Sequence, residues 1–351
     1  MIFVDFQNCF ILILLCFFSF LGYSLFFKKP NNSPGYDLPP SPPSLPIIGH
    51  LPLLFSSLTH KSLQKLSTKY GPLLHIRIFN VPVILASSAS VAYEIFKSHD
   101  VNVSSRDLAV NVHEEDHHHQ VARTTHTREV TRYPSEELHR FYSSLLEKAR
   151  ENESVEISKE AMKLMNNTLC RMMLGRCFTE ENGEAEKELF IGGTDTSVQT
   201  TQWTMAEIIN NHKVLEKLRE EIDSVVGRSK LIQETDLPNL PYLQAVVKEG
   251  LRLHPPAPLM LRKFQERCEI KGFYIPEKTI LVISVYAVMR DPDSWEDPEE
   301  FKPERFLSPK EDEKQQELKF LPFGGGRRGC PGGNLSRDNC RDRDRSDGAV
   351  L

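Results

Sequence analysis

No Cys-x-x-Cys pair occurs among the seven cysteines, Cys9, Cys16, Cys170, Cys177, Cys268, Cys330 and Cys340. Their number is odd and their spacing irregular, so neither a zinc site nor a disulfide framework is indicated. Such usage suits a reducing compartment. Long basic runs are missing and the net charge is −5, which sets nucleic acid aside as a partner. Tryptophan is scarce, with Trp203 and Trp295 only. The glycine-rich loop Pro322–Gly332 lacks the lysine and hydroxyl that a phosphate-binding loop places after its last glycine; Cys330 and Pro331 stand there instead. What remains is globular in composition: 351 residues, 40% hydrophobic and 26% charged, enough for one large domain or two ordinary ones.

Residues Phe10 to Phe27 are nearly all apolar and end at Lys28-Lys29-Pro30. A cleaved signal peptide is one reading. The absence of a basic stretch before the run, and the lysines after it, favour a retained membrane anchor with the bulk of the chain on the cytosolic side. Leu38 to Gly49 is dense in proline and reads as a stiff extended hinge. Thr59–Lys69 reads as a helix, Leu73–Leu85 as a hairpin broken at Asn80-Val81-Pro82, and Ser88–Lys97 as a helix. Asn111 to Tyr133 has no apolar periodicity. Four of its histidines, His113 and His117 to His119, lie beside Glu114, Glu115 and Asp116 on one polar stretch with nothing to orient them, so no metal site is read there. Helical patterns return at Glu136–Ala149 and Ser158–Met173, followed by an acidic bridge, Gly183–Glu188. Further helices are predicted at Val214–Val226 and Pro241–Leu253, and strands at Ile270–Ile275 and Thr279–Val285. Ser336 to Asp347 is a polar tail of mixed charge.

Three stretches carry chemistry. The loop Pro322–Gly332 places one cysteine among glycines that let backbone approach a flat object, with Arg327 and Arg328 just before it. Nearby positive charge favours a thiolate, and arginine grips carboxylates by paired hydrogen bonds. The set fits a cysteine thiolate on haem iron with Arg328 at a propionate, or else a glycine turn around a buried cysteine. Gly192-Gly193-Thr194-Asp195-Thr196-Ser197 reads equally as a proton-delivery segment or a helix N-cap. Glu249 and Arg252, three apart, share a helix face.

The loop resembles the haem loop of the cytochrome P-450 monooxygenases, Phe-x-x-Gly-x-Arg-x-Cys-x-Gly, at Phe323, Gly326, Arg328, Cys330 and Gly332. The resemblance extends to Gly192–Ser197, to Glu249-x-x-Arg252, to Phe301-Lys302-Pro303-Glu304-Arg305-Phe306 and to Arg262, in uninterrupted family order. It implies a mainly α fold with small β-sheets behind an N-terminal transmembrane helix, truncated relative to full members. Residues 1–29 would be the anchor, 30–50 the hinge, 51–333 an incomplete haem domain with an atypical insert at 111–133, and 334–351 an atypical tail. Haem b would be bound through Cys330, with Arg262 and Arg328 facing propionates. Asp195 and Thr196 would relay protons to the oxygen being split, and Glu249, Arg252 and Arg305 would form a buried structural network. The implied partners are NADPH-cytochrome P-450 reductase, membrane lipid and a small apolar substrate, a plant triterpenoid or phenolic, with the haem domain on the cytosolic face of the endoplasmic reticulum. The family's propionate-binding helix, substrate-roof helices and post-cysteine helix have no counterpart in the text. A catalytically inactive, membrane-anchored fragment is therefore the alternative.

Overall fold

Val81–Ala86 and Ile280–Ile283 are apolar at nearly every position, and strands of that kind are buried on both faces. In the computed structural model, which describes residues 11–19, 22, 37–55, 58–105, 132–174, 184–307, 319–330 and 332–333, they lie side by side at the centre of a sheet. β1 (Leu73–Ile78) pairs antiparallel with β2 (Val81–Ala86), and β2 pairs parallel with β6 (Ile280–Ile283). β3 (Met260–Lys263) closes the order β1-β2-β6-β3, antiparallel to β6. Alternation sorts the side chains of β2. Val83 and Leu85 pack with Leu74, Val282 and Leu63 of α1 (Thr59–Tyr70). Ile84 and Ala86 pack with Leu281, Ile283 and Ile95 of α2 (Ala89–Ser98).

The remaining helices are α3 (Arg132–Arg150), α4 (Ile157–Leu174), α5 (Glu184–Asn210), α6 (His212–Val225), α7 (Pro241–Leu253) and the short α8 (Val285–Val288). α5 packs against α4 and α7, and α3 against α4. Ile208 of α5, Val214 and Leu218 of α6, and Tyr242 and Val246 of α7 form a second core. α7 starts with Pro241, and its free N–H groups are met from α6: the Glu221 carboxylate accepts from Tyr242 at 2.7 Å and Leu243 at 2.9 Å. Burial, then the Glu304 carboxylate, push the Tyr242 hydroxyl up to about 12. Leu138, Tyr142 and Leu146 form an exposed apolar stripe along α3.

Several expectations shift. Pro82 lies inside β2, not in a break; the turn falls at Phe79–Asn80 and pairing to β6 begins only at Val83, so the missing proline N–H is not needed on that side. Ile270–Ile275 is the tip of a hairpin, β4 (Cys268–Ile270) and β5 (Phe273–Ile275), because Lys271 and Gly272 both take positive φ and turn the chain in two residues. Thr279–Val285 divides into β6 and the start of α8, which Ser284 caps by accepting from the Ala287 N–H at 3.3 Å. The acidic bridge is not a linker: α5 starts at Glu184, since glutamate and alanine favour helix and acids suit its N-terminus. Residues 11–19 are helical, but among the described residues no helix is long and apolar enough to cross a membrane, and most of the remaining Phe10–Phe27 run lies outside them. Of the insert at 111–133, Arg132 and Tyr133 begin α3; the histidine stretch and the tail 334–351 also lie outside the described residues.

Gly250 is the contact point of α7 with α5. A Cβ there would strike the Thr204 hydroxyl and lie 3.1 Å from Thr204 Cβ and 3.2 Å from its Cγ2. Rotating a β-branched side chain clears only one branch, and Cβ itself stays in place. Overpacking costs about 1–3 kcal/mol, against about 1 kcal/mol gained by replacing a helical glycine with alanine. Gly250→Ala is therefore expected to destabilise the chain. In a Thr204→Ala background, which removes Oγ1 and Cγ2 but keeps the Cβ at 3.1 Å, the same change should cost less, and denaturant titration of the four combinations checks that coupling.

Candidate functional site

The segment 319–330 enters the core through Leu321, which is buried, and then turns back on itself. The Gly324 N–H donates to Leu321 O at 3.0 Å, and the Cys330 N–H donates to Phe323 O at 2.8 Å, closing a loop around the 3₁₀ turn Gly326–Arg328. Gly324 and Gly326 sit at φ +74° and +67°, a region that favours glycine. At Gly325 steric contact decides the residue: a Cβ would lie 2.9 Å from the Phe96 ring. The loop thus lies flat against the end of α2, and Cys330 leaves it with an exposed thiol. The Gly333 N–H donates to Cys330 O at 3.1 Å, and a Cβ at Gly332 would be 3.7 Å from the Cys330 sulfur.

Two arginines flank this thiol's loop. Arg262, on β3, is buried, and its guanidinium donates to Leu261 O at 2.9 Å and to Arg328 O at 3.1 Å. Arg328 is exposed and donates through Nε to Ser104 O at 2.9 Å. Cys268 is the nearest rival in kind, but it is half-buried and burial pushes its thiol up to about 11, so it stays protonated at neutral pH. An accessible sulfur, backbone free of side chains and a buried arginine beside the loop suit a flat, anionic macrocycle that brings its own metal.

The second motif lies in α5. Thr194 is buried and its hydroxyl lacks a hydrogen-bond partner among the described residues; Asp195 is half-buried and Thr196 exposed. Thr196 Oγ1 donates to Gly192 O and Ser197 Oγ to Gly193 O, each at 2.9 Å. Thr200 and Thr201 repeat the pattern one turn later, at 2.8 and 2.9 Å. Such bonds from i to i−4 loosen and bend helices, and two glycines weaken the same turn. The Thr196 hydroxyl therefore serves its own helix in this structure, with a carbonyl acceptor that it can exchange for another at small cost.

The third constellation is fully assembled. Glu249 and Arg252 are both 0% exposed. Arg252 donates from Nε to Glu249 Oε2 at 2.7 Å and from Nη2 to Oε1 at 2.8 Å. Its remaining N–H groups reach Met289 O at 2.9 Å, Pro298 O at 2.7 Å and Glu300 O at 3.1 Å. Glu249 Oε1 also accepts from the Lys302 N–H at 2.9 Å and from Arg305 Nε at 3.3 Å. Arg305 in turn binds the Glu296 carbonyl and Asp297 O. Trp295 lies under Arg252, ring centroid 5.3 Å from Cζ.

Some neighbours had no signal in the sequence. Trp203 stacks on His254 at 4.6 Å, and His254 Nε2 lies 2.8 Å from Glu207 Oε1. Asp100 accepts from the Arg327 N–H at 2.9 Å across a wide sequence gap. Only an isolated His-Asp pair after a helix could have pointed to it. For the buried network, Glu249→Ala should cost about 3–5 kcal/mol, because it leaves Arg252 uncompensated in a dry site. The measurement is urea unfolding of the chain lacking residues 1–29, where an unchanged midpoint would show that the pair contributes nothing.

A sequence model described as Cytochrome P450 matches residues 39–189 and 185–340. Cytochrome P450 705A22 of Arabidopsis thaliana is 49% identical over 453 aligned positions, covering 95% of this chain and 88% of that protein. The 3,9-dihydroxypterocarpan 6A-monooxygenase of Glycine max is 30% identical over 452 positions, covering 92% of this chain and 88% of that one. A solved zebra fish cytochrome P450 with abiraterone superposes with a TM-score of 0.68 at 19% identity, covering 80% of this chain and 88% of that chain. A chain of 351 residues cannot fill 453 aligned positions, so the Arabidopsis relative carries internal segments with no counterpart here. With the loop, the helix and the ionic network lying along one continuous family match, the chain belongs to the cytochrome P450 family.

Proposed function

We propose that Cys330 would hold haem b, the family's cofactor, through its thiolate, and that the site is that of a monooxygenase acting on a small apolar plant metabolite. The observation that carries the reading is the exposed Cys330 thiol at the end of a glycine loop with Arg262 and Arg328 beside it. When bound, thiolate-ligated haem supplies the activation of dioxygen, with one oxygen atom entering the substrate and the other leaving as water. Two electrons from NADPH, delivered by NADPH-cytochrome P-450 reductase, and two protons balance that reaction. Phe323, Gly326 and Gly332 shape the loop, and Arg262 and Arg328 offer guanidinium groups to the propionates. Asp195 would take protons from solvent, and Thr196 would hold one at Oγ1. Glu249, Arg252 and Arg305 keep the fold beneath the site and take no part in turnover.

The substrate is read as a polycyclic phenolic or triterpenoid. A relative whose name makes it a pterocarpan monooxygenase supports the phenolic class. Residues 1–29 act as the anchor in the endoplasmic reticulum, 30–50 as the hinge and 51–333 as the haem domain on the cytosolic side, with 111–133 and 334–351 atypical. The exposed apolar side chains Ile11, Leu12, Ile13, Phe17 and Phe18 support the anchor.

Specific observations favour a second reading of the chain as it stands, an inactive membrane-bound fragment: the unfilled aligned positions and the uncovered stripe Leu138, Tyr142 and Leu146 on α3. With less apolar surface closed over the site, an apolar substrate gains little on binding. Two measurements separate the readings. A reduced, carbon-monoxide difference spectrum should give a thiolate-type band that Cys330→Ala removes; survival of the band in that variant would overturn the ligand assignment. NADPH-dependent oxygenation in microsomes with added reductase should be far lower for this chain than for a version with the internal segments restored, and equal product from both would exclude the inactive reading.

A further inference from the structure

The residues that follow α2 do more than join two elements. Segment 99–105 is tied down by Val103, buried in the core, and runs between the cysteine loop and the β3–β4 edge. On the sheet side, Asn102 Oδ1 accepts from the Gln265 N–H at 2.9 Å and the Glu266 N–H at 2.7 Å, and Asn102 Nδ2 donates to Glu266 O at 2.9 Å. His99 Nε2 donates to Glu269 O at 3.1 Å, and the Lys263 N–H donates to Ser105 O at 3.2 Å. On the loop side, Ser104 O accepts from Arg328 Nε at 2.9 Å, and Asp100 Oδ1 accepts from the Arg327 N–H at 2.9 Å.

Asp100 is the charged member of this strap. Its side chain is 25% exposed, and its carboxylate occupies the space where a Cβ at Gly326 would go, with Asp100 Cγ 3.0 Å from that position. The ion pair to the Arg327 side chain is looser, 3.6 Å from a guanidinium whose side chain is 68% exposed, and a pair of that kind contributes little. The bond that matters is therefore main-chain. Gly324 and Gly326, both at positive φ, give the loop freedom, and the carboxylate holds the amide between Gly326 and Arg327 in one place. From that amide the 3₁₀ turn runs to Gly329, whose N–H donates to Gly326 O at 3.0 Å, and then to Cys330.

We infer that Asp100 is a positioning residue for the thiolate: by accepting the Arg327 amide it fixes the backbone of the cysteine loop and so sets where the Cys330 sulfur points. The inference rests on the haem-thiolate reading for its purpose, but not for its geometry. A charge-assisted bond is about twice as strong as a neutral one, so Asp100→Asn should act as a partial variant and Asp100→Ala as a full one.

The test uses the full chain in detergent, by hydrogen exchange over peptides spanning 323–330 and by the carbon-monoxide difference spectrum. Asp100→Ala should raise exchange at the Arg327 amide by about ten- to a hundredfold and shift the spectrum from thiolate type to thiol type. Asp100→Asn, which keeps an acceptor and is the safer variant for folding, should give an intermediate rise, about three- to tenfold. Arg327→Ala should leave loop exchange near that of the parent, because it spares the amide. Asn102→Ala should lower the thermal midpoint without changing loop exchange. Unchanged loop exchange in Asp100→Asn and Asp100→Ala, or an Arg327→Ala variant with loop exchange raised like that of Asp100→Ala, would overturn the inference. If the parent chain gives no thiolate band, the haem-thiolate reading fails, and the exchange arm still decides whether Asp100 holds the loop.

Discussion

Arg252 has five N–H donors, and each of them meets an oxygen in a place that water does not reach. A guanidinium and a carboxylate taken out of water cost several kcal/mol each, and their attraction offsets that only when every remaining donor and acceptor is also satisfied. Completeness is thus the constraint. To supply it, the chain from Met289 to Arg305 must turn the carbonyls of Met289, Pro298 and Glu300 inward and bring the Lys302 amide to Glu249. That stretch has little regular structure, with one short 3₁₀ turn starting at Pro303, yet its path is fixed by the needs of one buried pair on α7. Trp295 is carried along, with its ring centroid 5.3 Å from Arg252 Cζ and 4.7 Å from Lys319 Nζ.

The rigid ionic floor contrasts with α5. Gly192 to Thr201 is held by hydroxyl-to-carbonyl bonds that compete with the helix, and Thr194 keeps a buried hydroxyl with no partner among the described residues. A region under such local conflict is one whose hydroxyls can be re-aimed at small cost. The network of Glu249 and Arg252, with its full complement of bonds, is one that cannot move without exposing a charge.

Much of this was legible in the sequence, for physical reasons that differ by element. The cysteine loop could be read because glycine, arginine and cysteine each have few alternative uses at that density. Glu249 and Arg252 could be read as neighbours because helical spacing alone brings them together. Their partners could not: carbonyl oxygens belong to any residue, so Met289, Pro298 and Glu300 leave no mark in the text. Asp100 was invisible for a related reason, since its partner is the main-chain amide of Arg327. Pro82 was misread because proline's rule concerns which edge needs the N–H, and that depends on where β6 begins to pair. The hairpin at Lys271–Gly272 was missed because lysine rarely takes positive φ, and only the pairing of β4 with β5 holds it there.

The parallel pairing of β2 with β6 also imposes an order in time. Val83 meets Ile280, so one of the most apolar strands in the described structure leaves the ribosome long before the strand that completes its second edge. At about 5–20 residues per second, roughly 10–40 s of synthesis separates the two. During that interval β1 and α1 can cover one edge and one face of Val81–Ala86, being its neighbours in sequence, while the other edge remains an open template. Until Ile280–Ile283 is made, that edge can pair with any other exposed strand. The chain's yield in a cell depends on how that waiting strand is shielded as well as on the final stability of the sheet.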